Sequence, residues 1–162
     1  MFRKFAATII VAIATLSPAA AAEDAAKAVL SIPAEVTEVA TAGTWSDGDL
    51  SGVFRAIVLT SPSGDGTQAH LILQLMAVNT EGNKSTVHKT IAIKEIDKKE
   101  LPNAFLAVED DGVEDMVTWR VTSYNSKSNA DIGVLVTVNA KGEVTVKDAP
   151  KEEDQPQGDD KK

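Results

Sequence analysis

Between residues 35 and 148, apolar and polar side chains alternate in runs of six to twelve, separated by turn residues. A period of two suits strands that lay one face on a core, whereas an amphipathic helix needs a period near 3.6. The candidate strands are 36–45, 53–60, 68–79, 86–96, 104–108, 116–124, 132–138 and 143–147. No amphipathic helix intervenes to carry a parallel crossover, so neighbouring strands must pair antiparallel. The pattern therefore specifies an all-β fold: an antiparallel two-sheet sandwich of the immunoglobulin-like sort, with a small closed β-barrel as the alternative.

Individual strands carry finer expectations. The run 68–79 has Ala69, Leu71, Leu73, Leu75 and Ala77 on one face and His70, Ile72, Gln74, Met76 and Val78 on the other. Apolar residues on both faces mark a central strand. Val87, Ile91 and Ile93 share a face of 86–96, and Val117, Trp119 and Val121 point inward. Asp47-Gly48 favours a turn. Asn139-Ala140-Lys141-Gly142 reads as a type I turn whose glycine takes a left-handed position, closing the last hairpin.

The ends differ in composition. Residues 1–22 hold Arg3 and Lys4, an apolar run from Phe5 to Leu16, and four alanines from Ala19 onward. This is the layout of a secretory signal peptide, with an apolar stretch too short to span a bilayer. Cleavage between Ala22 and Glu23 is expected, with cleavage after Ala21 fitting equally well, which places the mature chain in the periplasm or outside the cell. Residues 23–34 read as a flexible lead-in, 35–148 as the β domain, and 149–162 as a disordered acidic tail without an apolar face to bury.

The chain has no cysteine, so no disulfide supports the exported domain and its core must do so. Loss of Arg3 and Lys4 takes the net charge from −8 to −10. Such a surface is repelled by nucleic acid, and no second apolar segment is long enough for a membrane helix.

Candidate chemistry is sparse. If Asn79 faces Lys84, His70 faces Ile93 and His88 faces Leu75, which puts the imidazoles about 16 Å apart along the sheet, too far to share a metal. The acidic run Glu109, Asp110, Asp111, Glu114 and Asp115 lacks the ligand spacing of a calcium loop, with Gly112 too early and no closing glutamate. Asp47-Gly48-Asp49 and Gly64-Asp65-Gly66 read as turns. Neither histidine has a serine partner in a turn, and Gly-x-Ser-x-Gly does not occur. No metal and no cofactor is expected.

Arg55 and Arg120 remain as the candidate contact residues. Each follows an inward aromatic, Phe54 or Trp119, so each points outward. There it lays its stem on the sheet and pairs with a carboxylate, or the two form one anion or peptide site on a common face. Trp45 and Trp119 are assigned to the core, with a ligand platform as the alternative.

The layout of leader plus cysteine-free β domain resembles small periplasmic immunoglobulin-like proteins of bacteria that act as chaperones or assembly factors. No site residue follows from that likeness. The function expected is a non-catalytic, exported binding or accessory protein, acting through a sheet face or edge on another envelope or secreted protein. A small-molecule carrier lined by strand 69–78 and a carboxylate-based hydrolase are the alternatives.

Overall fold

The computed structural model describes residues 31–64, 66–79, 84–99, 101–125 and 129–150, without the side chains of Asn79 and Asn125. The chain divides into two units, Met1–Pro33 and Ala34–Lys162. Of the first unit only 31–33 are described; they are exposed and in no strand or helix. The expected cleavage point at Ala22 and Glu23 and the tail beyond Pro150 lie outside the described residues.

The second unit is all-β. Strands β1 (Val36–Asp47), β2 (Leu50–Ser63), β3 (Gly66–Asn79) and β4 (Lys84–Ala92) form one antiparallel sheet in the order β1-β2-β3-β4. A helical turn α1 (Lys94–Asp97) leads to β5 (Phe105–Asp110), β6 (Met116–Asn125), β7 (Ala130–Asn139) and β8 (Val144–Asp148), which form a second sheet in the order β5-β6-β7-β8. The two four-stranded sheets make a sandwich, and no ladder joins them into a closed barrel. Each sheet is a plain meander, so the likeness to immunoglobulin domains extends to the two-sheet layout and not to Greek-key connections.

The inner faces follow the alternation. Phe54, Ala56 and Val58 of β2 and Ala69, Leu71, Leu73 and Leu75 of β3 meet Val117, Trp119 and Val121 of β6 and Val134, Val136 and Val138 of β7 in one core. All are at most 2 % exposed. Each large apolar side chain buried this way contributes about 1.5–3 kcal/mol before chain entropy is set against it. The inner face of β3 thus fills the core rather than lining the interior of a carrier.

The last hairpin forms as its residues demand. Gly142 sits at φ +73, and its N–H donates to the Asn139 carbonyl at 2.8 Å. The Asn139 side chain completes the turn, accepting from the N–H groups of Lys141 (3.1 Å) and Glu143 (2.9 Å).

Strand 86–96 departs from expectation. β4 stops at Ala92, and residues 94–97 wind into α1, which buries both Ile93 and Ile96. Their spacing of three suits a helical turn, whereas a continuing strand would send them to opposite faces. Asn79 does pair with Lys84, yet Leu75 faces Lys89 and Met76 faces Val87, leaving His88 as the extra residue of a bulge. The bulge shifts the register by one and turns Val87 outward, 48 % exposed, away from the face expected for it.

That bulge also places His88 against Trp45, with ring centroids 5.4 Å apart. The two residues belong to opposite edges of one sheet, about 14 Å apart if the sheet were flat. The two rings meet because the indole reaches across small residues. Trp45 pairs with Gly52, and Gly52 with Ala77. A Cβ on Gly52 would land on the Met76 carbonyl oxygen, with the carbonyl carbon at 2.8 Å.

Candidate functional site

The two candidate arginines lie on the outer faces of different sheets and do not meet. Arg55, on β2, donates from Nε to Gln74 Oε1 at 2.9 Å and also from Nη2 to the same oxygen, so its partner is an amide and not the expected carboxylate. Arg120, on β6, makes the expected pair. Its Nε and Nη2 donate to Glu109 Oε2 and Oε1 at 2.7 and 2.8 Å, a two-pronged match of guanidinium and carboxylate. Hydrogen bonds from Arg120 hold the Glu109 carboxyl below the usual carboxylate range; desolvation opposes the shift and the guanidinium charge adds to it.

The rest of the acidic run is partly spent on structure. Asp110 Oδ1 accepts from the Gly112 N–H at 3.0 Å. Asp115 Oδ1 accepts from the Ser46 N–H at 2.6 Å and from its hydroxyl at 3.0 Å, tying β1 to the β5–β6 loop. No three His, Asp or Glu side chains among the described residues converge as metal ligands would.

Beside Arg120 the outer face of the second sheet is hollowed. A groove of about 470 Å³ is lined by Phe105, Arg120, Thr122, Tyr124, Asp131 and Gly133, and walled by Ala149 and Pro150. Phe105 pairs with Thr122 and Tyr124 with Asp131, which sets the two aromatics diagonally on one face. Diagonal neighbours in an antiparallel pair lie about 7–8 Å apart, within reach of aromatic rings. Phe105 is 64 % exposed and Tyr124 52 %, in contrast to the buried Trp45, Phe54 and Trp119. The Tyr124 hydroxyl donates to Asn129 Oδ1 at 2.6 Å, which orients its ring.

The floor depends on Gly133. Without a side chain there, Ala149 comes close enough for its N–H to donate to the Gly133 carbonyl at 2.9 Å. A Cβ on Gly133 would stand 2.9 Å from that of Ala149. A second groove, of about 360 Å³, continues on the far side of the same aromatics, between them and Thr37, Glu38 and Thr60. Phe105 and Tyr124 thus form a ridge shared by two hollows. Chemically the surface offers flat apolar contact, threonine hydroxyls, and the Asp131 carboxylate at its rim.

The sequence reading missed both aromatics as site residues, although strand alternation was enough to turn them outward. It also missed a line of hydrogen bonds on the outer face of the first sheet. Ser61 Oγ lies 2.8 Å from His70 Nε2, and His70 Nδ1 lies 2.8 Å from Asp97 Oδ1. His88 takes no part, being stacked on Trp45. Both tryptophans are core residues, at 1 % and 0 % exposure, and neither forms a ligand platform.

No protein-family model, curated protein or solved structure matches this chain.

Proposed function

We infer that the protein is an exported binding or accessory module that recognises another envelope or secreted protein through the outer face of its second sheet. The observation that carries this reading is the pair of exposed aromatics, Phe105 and Tyr124, raised between two hollows beside a fixed Arg120–Glu109 pair. Exposed aromatics over a shaped surface are what interfaces use as anchors. Export rests on the leader at 1–22.

A face suits recognition here better than an edge does. β1, β4 and β5, three of the four edge strands, are interrupted by bulges. On β5 the Leu106 N–H already donates to Glu38 Oε2 at 2.9 Å. Bulged and side-chain-capped edges are poor templates for an added strand.

The test is capture of a partner from envelope extract by the mature protein beginning near Glu23, followed by binding measurements with that partner purified. Phe105→Ala/Tyr124→Ala should weaken binding about tenfold to a hundredfold, as loss of anchor aromatics does, with the melting temperature held. Arg55→Ala, on the other sheet, should bind as the wild type does. Equal affinity in the double variant would refute the assignment of the face.

A further inference from the structure

We propose that Ser61 is an activated nucleophile, and that the outer face of the first sheet is a site of covalent acylation at its Oγ. The site lies on the opposite sheet from the aromatic groove and does not depend on the reading of that groove.

The geometry is that of a nucleophile, a base and a group that orients the base, in that order. Ser61 Oγ is 2.8 Å from His70 Nε2, and His70 Nδ1 is 2.8 Å from Asp97 Oδ1. An ionised carboxylate only accepts hydrogen bonds, so in the neutral imidazole the ring proton sits on Nδ1, facing Asp97. Nε2 then presents its lone pair to the serine hydroxyl. That is the tautomer a general base needs, fixed by the hydrogen bond on its other side.

Three elements hold the line in place. Leu59 pairs with His70 and Ser61 with Gln68, so Ser61 and His70 are diagonal neighbours on one face of the β2–β3 ladder. Asp97 closes α1, which is anchored by the fully buried Ile96 and the nearly buried Ile93. The Ile93 N–H donates to the Leu71 carbonyl at 2.9 Å, holding the start of α1 against β3. The side chains of His70 and Asp97 are 36 % and 46 % exposed, so a reagent reaches the line from solvent.

The surroundings also set the kind of acyl donor. The Thr60 N–H donates to the Glu35 carbonyl on the β1 side, so strand alternation turns the Ser61 N–H toward β3, into the β2–β3 ladder. It is not free to stabilise an oxyanion, a contribution worth about 10²–10³ in rate where it exists. The donor must therefore bring a good leaving group, as a thioester or an aryl ester does. In the step, a bond forms from Ser61 Oγ to the acyl carbon and the bond from that carbon to the leaving sulfur or oxygen breaks. The serine proton passes to His70 Nε2 and on to the departing thiolate or phenolate. The product is an O-acyl serine, and no electrons change hands beyond the bond pairs.

The experiment exposes the folded protein to a fluorophosphonate probe, in which Oγ–P forms and fluoride leaves, and in parallel to p-nitrophenyl acetate. Intact mass and peptide mapping locate the adducts. One label per chain at Ser61 is expected, absent in Ser61→Ala, at least tenfold slower in His70→Gln, and unchanged in Ser63→Ala. Melting curves confirm that each variant is folded. No adduct at Ser61 after prolonged exposure, or labelling of Ser61 at the same rate in His70→Gln, would overturn the proposal.

Discussion

Replacing Trp45 and Trp119 by phenylalanine, one at a time, separates packing from hydrogen bonding in this core. Both rings are buried, at 1 % and 0 % exposure. Their indole N–H groups fare differently. Trp45 Nε1 donates to the Val53 carbonyl at 3.1 Å. Trp119 Nε1 is buried with no partner among the described residues. Removing a whole aromatic side chain from a core costs about 3–5 kcal/mol, and keeping a phenyl ring recovers roughly half, which leaves about 2 kcal/mol for the lost volume at either site.

The polar contribution then has opposite signs. Trp45→Phe also gives up a hydrogen bond worth about 1 kcal/mol, for a total near 3. Trp119→Phe deletes a desolvated donor, whose relief returns at least about 1 kcal/mol and leaves a net cost near 1. The gap of about 2 kcal/mol corresponds to roughly 6–8 °C in melting temperature for a domain of this size. Urea titrations followed by far-ultraviolet circular dichroism would measure it, provided the slope with denaturant is the same in both variants. Each variant retains a single tryptophan, so its fluorescence reports burial of the other site. Equal losses, or a greater loss in Trp119→Phe, would refute the argument and mean that the Trp119 N–H is paired in solution.

Two further perturbations test the structure. Gly52→Ala should cost about 3 kcal/mol, the upper end for overpacking, because the new methyl meets the backbone carbonyl of Met76 rather than a movable side chain; a chemical denaturation midpoint close to wild type would contradict the close approach of Met76 to Gly52. Glu109 titrates below the usual carboxylate range in the folded protein, so the stability it lends is present above that range and is lost as pH falls through the lowered value. Carbon-detected NMR titration should show that lowered midpoint, and Arg120→Met should move it up to the usual range; no movement would remove Arg120 as the cause.

The sheets were legible because their signal is local. Alternation in 68–79 placed Leu71, Leu73 and Leu75 inward without reference to any other strand, and the structure buries all three. Asn139 and Gly142 determine their turn within four residues of chain. The bulge at His88 was not legible in the same way. Val87, Ile91 and Ile93 fit an uninterrupted strand, yet β4 carries an extra residue, His88, which stacks on Trp45 from the far edge of the sheet. That contact joins two edge strands far apart in the chain, so no window of β4 sequence shows it.

The line Ser61–His70–Asp97 was hidden for the same reason, carried further. Separations of 9 and 27 residues join the serine to the histidine and the histidine to the aspartate. The first contact needs the β2–β3 register and a diagonal rather than a direct pairing. The second needs β4 to end at Ala92, since a strand continued to Ile96 would carry Asp97 onward with the extended chain instead of folding it back in a helical turn onto His70. One misjudged boundary was enough to leave His70 looking like an isolated sheet residue. The groove on the other sheet needed less, since Phe105 and Tyr124 stand on the outward register of their strands. What made it a hollow is the bare Gly133 between them and Ala149, a feature of the surface that acquires meaning only once three strands lie side by side.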